Sequence, residues 1–146
     1  MVEDASLDRL NQCLETLHFA FRGLVAEPDS ILKSQGLSRI HHRLLFFIGR
    51  NPGLSVNALV ESMRLTKQAI HKPLKSLVEK DMVAVTRDAS DKRVKRLALT
   101  SQGVALESRL TGIQRELLTH AFDEVGEEGA EAWFRVMETM ARRLGV

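Results

Sequence analysis

Two groups of side chains in the middle of this 146-residue chain have types and spacing suited to holding a polyanion. The first is Gln68, His71, Lys72 and Lys75, whose three- and four-residue intervals place them on one side of a helix. Gln68 suits a bidentate contact to an adenine edge, and His71 and Lys72 suit bases or phosphates. Lys75, further along, suits phosphate, a contact that positions without specifying. Thr66 and Lys67 open the same helix and present its free amides to a phosphate. The second group is Arg87, Asp91, Lys92 and Arg93, at the tip of a hairpin. Arg93, supported by Lys92, is the side chain expected in a narrow minor groove, where negative potential is enhanced. Asp91 would be repelled by phosphate, so it is expected to orient Arg93 or Arg87 through an ion pair.

The elements that must carry these residues are legible in the periodicity. Leu59, Val60 and Met63 give a helical pattern, Arg64-Leu65 a tight turn, and Lys67 to Lys80 a second helix. Ile70, Leu74, Leu77 and Val78 are its inward face, and Asp81 follows at a left-handed C′ position. The period then becomes alternating over Met82 to Asp88 and Val94 to Thr100, with Ala89 to Arg93 as the tip. Val83 and Val85 are expected to share a buried face with Leu97 and Leu99. A helix-turn-helix beside a cationic hairpin is a device for gripping duplex DNA. Pro73 interrupts the pattern. It removes the bond to the Ala69 carbonyl, which predicts a kink or a separately wound first turn.

Around this centre lie longer helices. The first is expected over Ser6 to Ala26, with Leu7, Leu10, Leu14, Leu17, Phe21 and Leu24 in a heptad-like seam ended by Glu27-Pro28-Asp29. Ser38 caps a second helix, Arg39 to Arg50, which Asn51-Pro52-Gly53 stops. Ser55 caps a third, Val56 to Met63. Ser101 is expected to cap a fifth helix to Phe122, Gly126 to break it, and a sixth to run from Glu127 to Leu144. Striped terminal helices of this length need a partner, which predicts a two-fold homodimer. The expected fold is mainly α with a small β-hairpin wing, a six-helix winged helix-turn-helix. Residues 1–36 and 101–146 form the dimerisation region and 37–100 the DNA-binding lobe, within one compact domain.

Composition narrows the function classes. A hydrophobic content of 44% and a charged content of 27% are ordinary for a globular domain. The net charge is only +2, yet Arg64 to Arg96 holds ten Lys/Arg against four Asp/Glu. The remainder holds eleven against fifteen, so a cationic middle is flanked by acidic ends. One cysteine excludes an intrachain disulfide and points to a reducing compartment, the cytoplasm. The acidic N-terminus is not a secretory signal, and no apolar run approaches the roughly 18 residues that span a bilayer. The five histidines show no HxxxH spacing, so no metal and no other cofactor is expected. There is no phosphate loop and no nucleophile–base pair, so an enzyme is not expected. The alternative is a winged-helix protein-interaction module, whose expected sign is a neutral recognition face.

The segment Arg87-Asp88-Ala-Ser-Asp91-Lys92-Arg93, followed by Leu97-Ala-Leu99-Thr100-Ser-Gln-Gly103, closely resembles the wing of MarR-type transcriptional regulators. Leu77-Val-Glu79-Lys80-Asp81-Met82-Val83 resembles that family's helix-to-wing junction, with Asp81 where glycine is usual. The helix order matches from about residue 7 to 144. The resemblance implies a homodimer on a pseudo-palindromic operator, usually a repressor. It also implies release by a small ligand between the dimerisation helices and the DNA-binding lobe. Arg22, His41, His42 and Arg43 are the candidate contacts for such an effector. The hydroperoxide-sensing branch has a reactive cysteine on the first helix; here His18 occupies that place, and Cys13 lies beside the seam.

Overall fold

The computed structural model describes residues 2–146. In chain order they form α1 (Val2–Ser34), α2 (Arg39–Arg50), α3 (Val56–Met63), α4 (Lys67–Glu79), β1 (Val83–Arg87), β2 (Lys95–Leu99) and α5 (Ser101–Ala141). A 3-10 turn, Arg142–Leu144, closes the chain. Helix α2 is central, lying against α1, α4, α5 and β2. Its Leu44, Leu45 and Ile48 join Leu32 of α1, Leu59, Ile70, Leu77, Val83, Leu97 and Leu110 in one core.

Three helices end in the same way. An amide two or three residues past the end reaches back to the carbonyl five before it, and a left-handed residue turns the chain. Gly36 (φ 70) does this after α1, with the Leu37 amide on the Leu32 carbonyl at 2.9 Å. Arg64 (φ 53) does it between α3 and α4, with the Leu65 amide on Val60 at 3.3 Å. Asp81 (φ 58) does it after α4, with the Met82 amide on Leu77 at 2.9 Å, as its place in the sequence suggests. The strands pair antiparallel with Val83 opposite Leu99 and Val85 opposite Leu97.

Three expectations are corrected. Helix α1 does not stop before Pro28 but continues to Ser34. Pro28 is fully buried, and the Leu24 carbonyl that it leaves without an amide accepts the Gln114 side chain of α5 at 3.3 Å. Helix α4 passes through Pro73 as one element, without a separately wound first turn. The cap of α5 is Thr100, whose hydroxyl accepts the Gly103 amide at 3.1 Å, rather than Ser101. A Cβ at Gly103 would strike the Met82 carbonyl, so the first turn of α5 can sit against the start of β1 only with glycine there. The expected break at Gly126 is present: its backbone (φ 74, ψ 179) is non-helical, and α5 is two helices joined across a kink there. The chain turns sharply there. Phe122 and Trp133 lie ring to ring at 5.4 Å, where eleven residues of straight helix would span about 16 Å.

Candidate nucleic-acid interface

Helix α4 is anchored by Ile70 and Leu77, which are 1% and 0% exposed. Thr66 caps it, accepting the Ala69 amide at 3.1 Å, which leaves the earlier amides at an open helix end. At about 100° per residue, Gln68 and Lys72 point away from the core. His71 and Lys75 turn toward the hairpin. All four are exposed. Between α4, the start of α3 and the hairpin runs an open groove of about 630 Å³. Lys67, His71 and Lys75 line one wall, Arg93 and Lys95 the other, and Ser55 and Asn57 the end. Val78, expected in the core, and Val85, expected on the buried face of the hairpin, are 38% and 39% exposed and line this groove instead. Sequence reasoning missed Lys95, Ser55 and Asn57 as parts of this surface. Ser55 was visible only as a helix cap, a role it does have, accepting the Ala58 amide at 3.0 Å.

The hairpin tip is ordered by its acids. Asp91 receives Arg93 twice, from Nε at 3.1 Å and Nη2 at 3.2 Å, so it orients Arg93. Arg87 instead donates to the Lys92 carbonyl at 3.0 Å. The Arg93 side chain, then its amide, holds the Asp91 carboxyl below the ordinary range. The Asp91 amide first, then the Arg96 guanidinium and Ser90, does the same for Asp88. Both tip acids are therefore ionised at neutral pH, yet Arg93 still projects with 92% of its side chain exposed.

The four candidate effector contacts divide by environment. Arg22 and Arg43 are exposed. His41 accepts the Ser38 amide on Nδ1 at 3.0 Å and so closes the start of α2. His42 is 6% exposed and lies 3.0 Å from the Thr111 hydroxyl of α5. Nearby, Arg39 forks onto Asp29 at 2.7 and 3.4 Å and lies over the Phe21 ring. Cys13 is exposed on α1. Among the described residues, no group of three His, Cys, Asp or Glu side chains could hold a metal ion. No described helix is long and apolar enough to cross a membrane.

A helix-turn-helix carried on a core of α2 and α5, with a two-stranded wing at its side, defines the winged helix-turn-helix class. The sequence pattern of the MarR family matches residues 35–94. The HTH-type transcriptional regulator PetP of Rhodobacter capsulatus is 35% identical over 133 residues, covering 91% of this chain and 80% of PetP. This chain belongs to the MarR family, a family of transcriptional regulators and not of enzymes. Its fold is shared with Streptococcus pneumoniae FabT, solved in complex with DNA, at a TM-score of 0.79 and 18% identity over 95% of this chain and 97% of FabT. The fold is likewise shared with the MepR–DNA complex of Staphylococcus aureus, at a TM-score of 0.71 and 20% identity over 88% and 96% of the two chains.

Proposed function

We propose that this regulator binds duplex DNA as a homodimer, with α4 in the major groove and the wing in the adjacent minor groove, and acts in the cytoplasm as a ligand-responsive repressor. The carrying observation is the convergence of Lys67, His71, Lys75, Arg93 and Lys95 on one open groove, beside the outward face of Gln68 and Lys72. In this reading Gln68, His71 and Lys72 meet base edges, while Thr66, Lys67 and Lys75 meet phosphate. Arg93 enters the minor groove with Lys92 and Arg87 in support, and Asp91 aims it. FabT and MepR, which share this fold, were each solved with DNA, which supports DNA as the partner. The homodimer is supported by the seam of α1, where Leu7, Leu10 and Leu14 stand 58%, 59% and 65% exposed, and by Trp133 and Phe134 of α5 at 42% and 57%. Residues 1–36 and 101–146 thus serve pairing, and 37–100 serve DNA. An effector at the junction of α1 and α2, near Arg22, His41, His42 and Arg43, would act by favouring one spacing of the paired α4 helices.

The test is charge reversal. Lys72→Glu with Lys75→Glu should abolish binding to fragments that the wild-type protein selects from its source genome, as read by fluorescence anisotropy. Retained specific binding would mean that α4 stays out of the groove.

A further inference from the structure

Arg96 lies on β2, opposite Thr86. Unlike Arg93, it is turned back into the protein. Its side chain is 43% exposed, against 92% for Arg93. Its Nε donates to Asp88 Oδ1 at 3.1 Å, and Nη1 reaches toward the Gly53 carbonyl at 3.4 Å. The α2–α3 turn is stitched to β2 at the same place. The Gly53 amide donates to the Leu97 carbonyl at 2.8 Å and the Leu97 amide to the Leu54 carbonyl at 2.9 Å. Asp88, whose side chain is 22% exposed, is the hub of the hairpin tip. Its Oδ2 accepts the Ser90 amide at 3.1 Å, the Ser90 hydroxyl at 3.1 Å and the Asp91 amide at 3.0 Å. The Asp91 carboxylate in turn holds Arg93.

We propose that Arg96 is a positioning residue for the wing. It ties Asp88 to the body of the domain, and Asp88 sets the turn from which Asp91 aims Arg93. This proposal rests on the DNA-binding reading above. It runs against simple electrostatics, because Asp88 is an anion close to a surface meant for a polyanion. If Asp88 acted only through its charge, its removal would tighten DNA binding. If it is the hub, its removal weakens binding. Arginine is required because one guanidinium must serve two acceptors in a fixed fork, which an ammonium cannot do.

The experiment compares Asp88→Ala, Arg96→Gln, Arg96→Lys and the Asp88→Ala/Arg96→Gln double variant in the full-length protein. The probe is a duplex that the wild-type protein selects from sheared genomic DNA. Each of Asp88→Ala and Arg96→Gln should lose about tenfold in affinity. The double variant should lose no more than the worse single one. Arg96→Lys should behave like Arg96→Gln. Without DNA, amide exchange at Ser90, Asp91 and Arg93 should rise in all four variants. Tighter or unchanged binding by Asp88→Ala would overturn the proposal. So would wild-type affinity in Arg96→Lys, losses that multiply in the double variant, or unchanged exchange at Asp91 and Arg93 in Arg96→Gln. A wild-type protein that holds no duplex would sink the DNA reading instead, and the exchange pattern alone would then uphold or overturn the clasp.

Discussion

His42 and Thr111 meet at 3.0 Å in the interior between α2 and α5, and Thr111 donates onward to Glu107 at 3.2 Å. A hydroxyl has one proton and a carboxylate accepts only, so His42 must offer its Nε2–H to Thr111. Burial first, and Arg43 as the smallest influence, lower the His42 pKa, while Glu107 and Asp29 oppose them. The unfolded chain therefore takes up the proton more readily than the folded one. The stability that His42 permits is complete above its unfolded value of 6.5 and is lost as pH falls through that value toward the lower folded one. His41, also lowered chiefly by burial, adds in the same direction. The substitution His42→Gln keeps a donor for Thr111 and removes the titration. The denaturation midpoint of that variant should fall less steeply below pH 6.5 than the wild-type midpoint. Identical slopes in urea melts at several pH values would show that His42 is not the group responsible.

At the scale of elements, the longest departure from expectation is the added length of α1. A buried proline inside a helix orphans a carbonyl, and an orphaned acceptor away from water costs about 1–3 kcal/mol. Gln114 answers that need from α5, joining two helices that flank the central lobe. Gln114→Ala should therefore destabilise the protein by about 1 kcal/mol. A Pro28→Ala background restores a backbone amide that can reach the Leu24 carbonyl along the helix itself, so the same Gln114 change should cost distinctly less there. Equal costs in the two backgrounds, measured by chemical denaturation, would mean that Gln114 has another role. This pairing was not legible in the sequence, because Pro28 and Gln114 are far apart in the chain and neither carries a pattern. The end of α4 was legible, because the left-handed turn at Asp81 depends on residues adjacent to it.

For the whole molecule, the distribution of burial is the informative feature. The core draws on residues from Leu32 to Leu110, while α1 before Leu24 and α5 beyond Gln114 keep most of their apolar side chains in the open. A chain folded alone leaves these stripes in water, which the hydrophobic effect disfavours at roughly 25 cal/mol per Å². Leu14→Glu, at a site 65% exposed in the single chain, should leave the helical content intact and turn the dimer into a monomer. It should also abolish operator binding, because one half-site supplies too few contacts. Sedimentation equilibrium decides the matter: a Leu14→Glu protein that still sediments as a dimer would remove α1 from the interface.

Local pattern was enough for the helix-turn-helix, the two strands of the wing and the left-handed turn at Asp81. Each of these depends on neighbours within a few residues, where periodicity and turn chemistry act directly. Tertiary structure alone decided the rest. It carried α1 through Pro28, turned His71 and Lys75 toward the wing while Gln68 and Lys72 faced outward, opened Val78 to the groove and drew Arg96 back onto Asp88 and Gly53. Those outcomes depend on partners brought together from distant parts of the chain, and sequence spacing along one element carries no record of them.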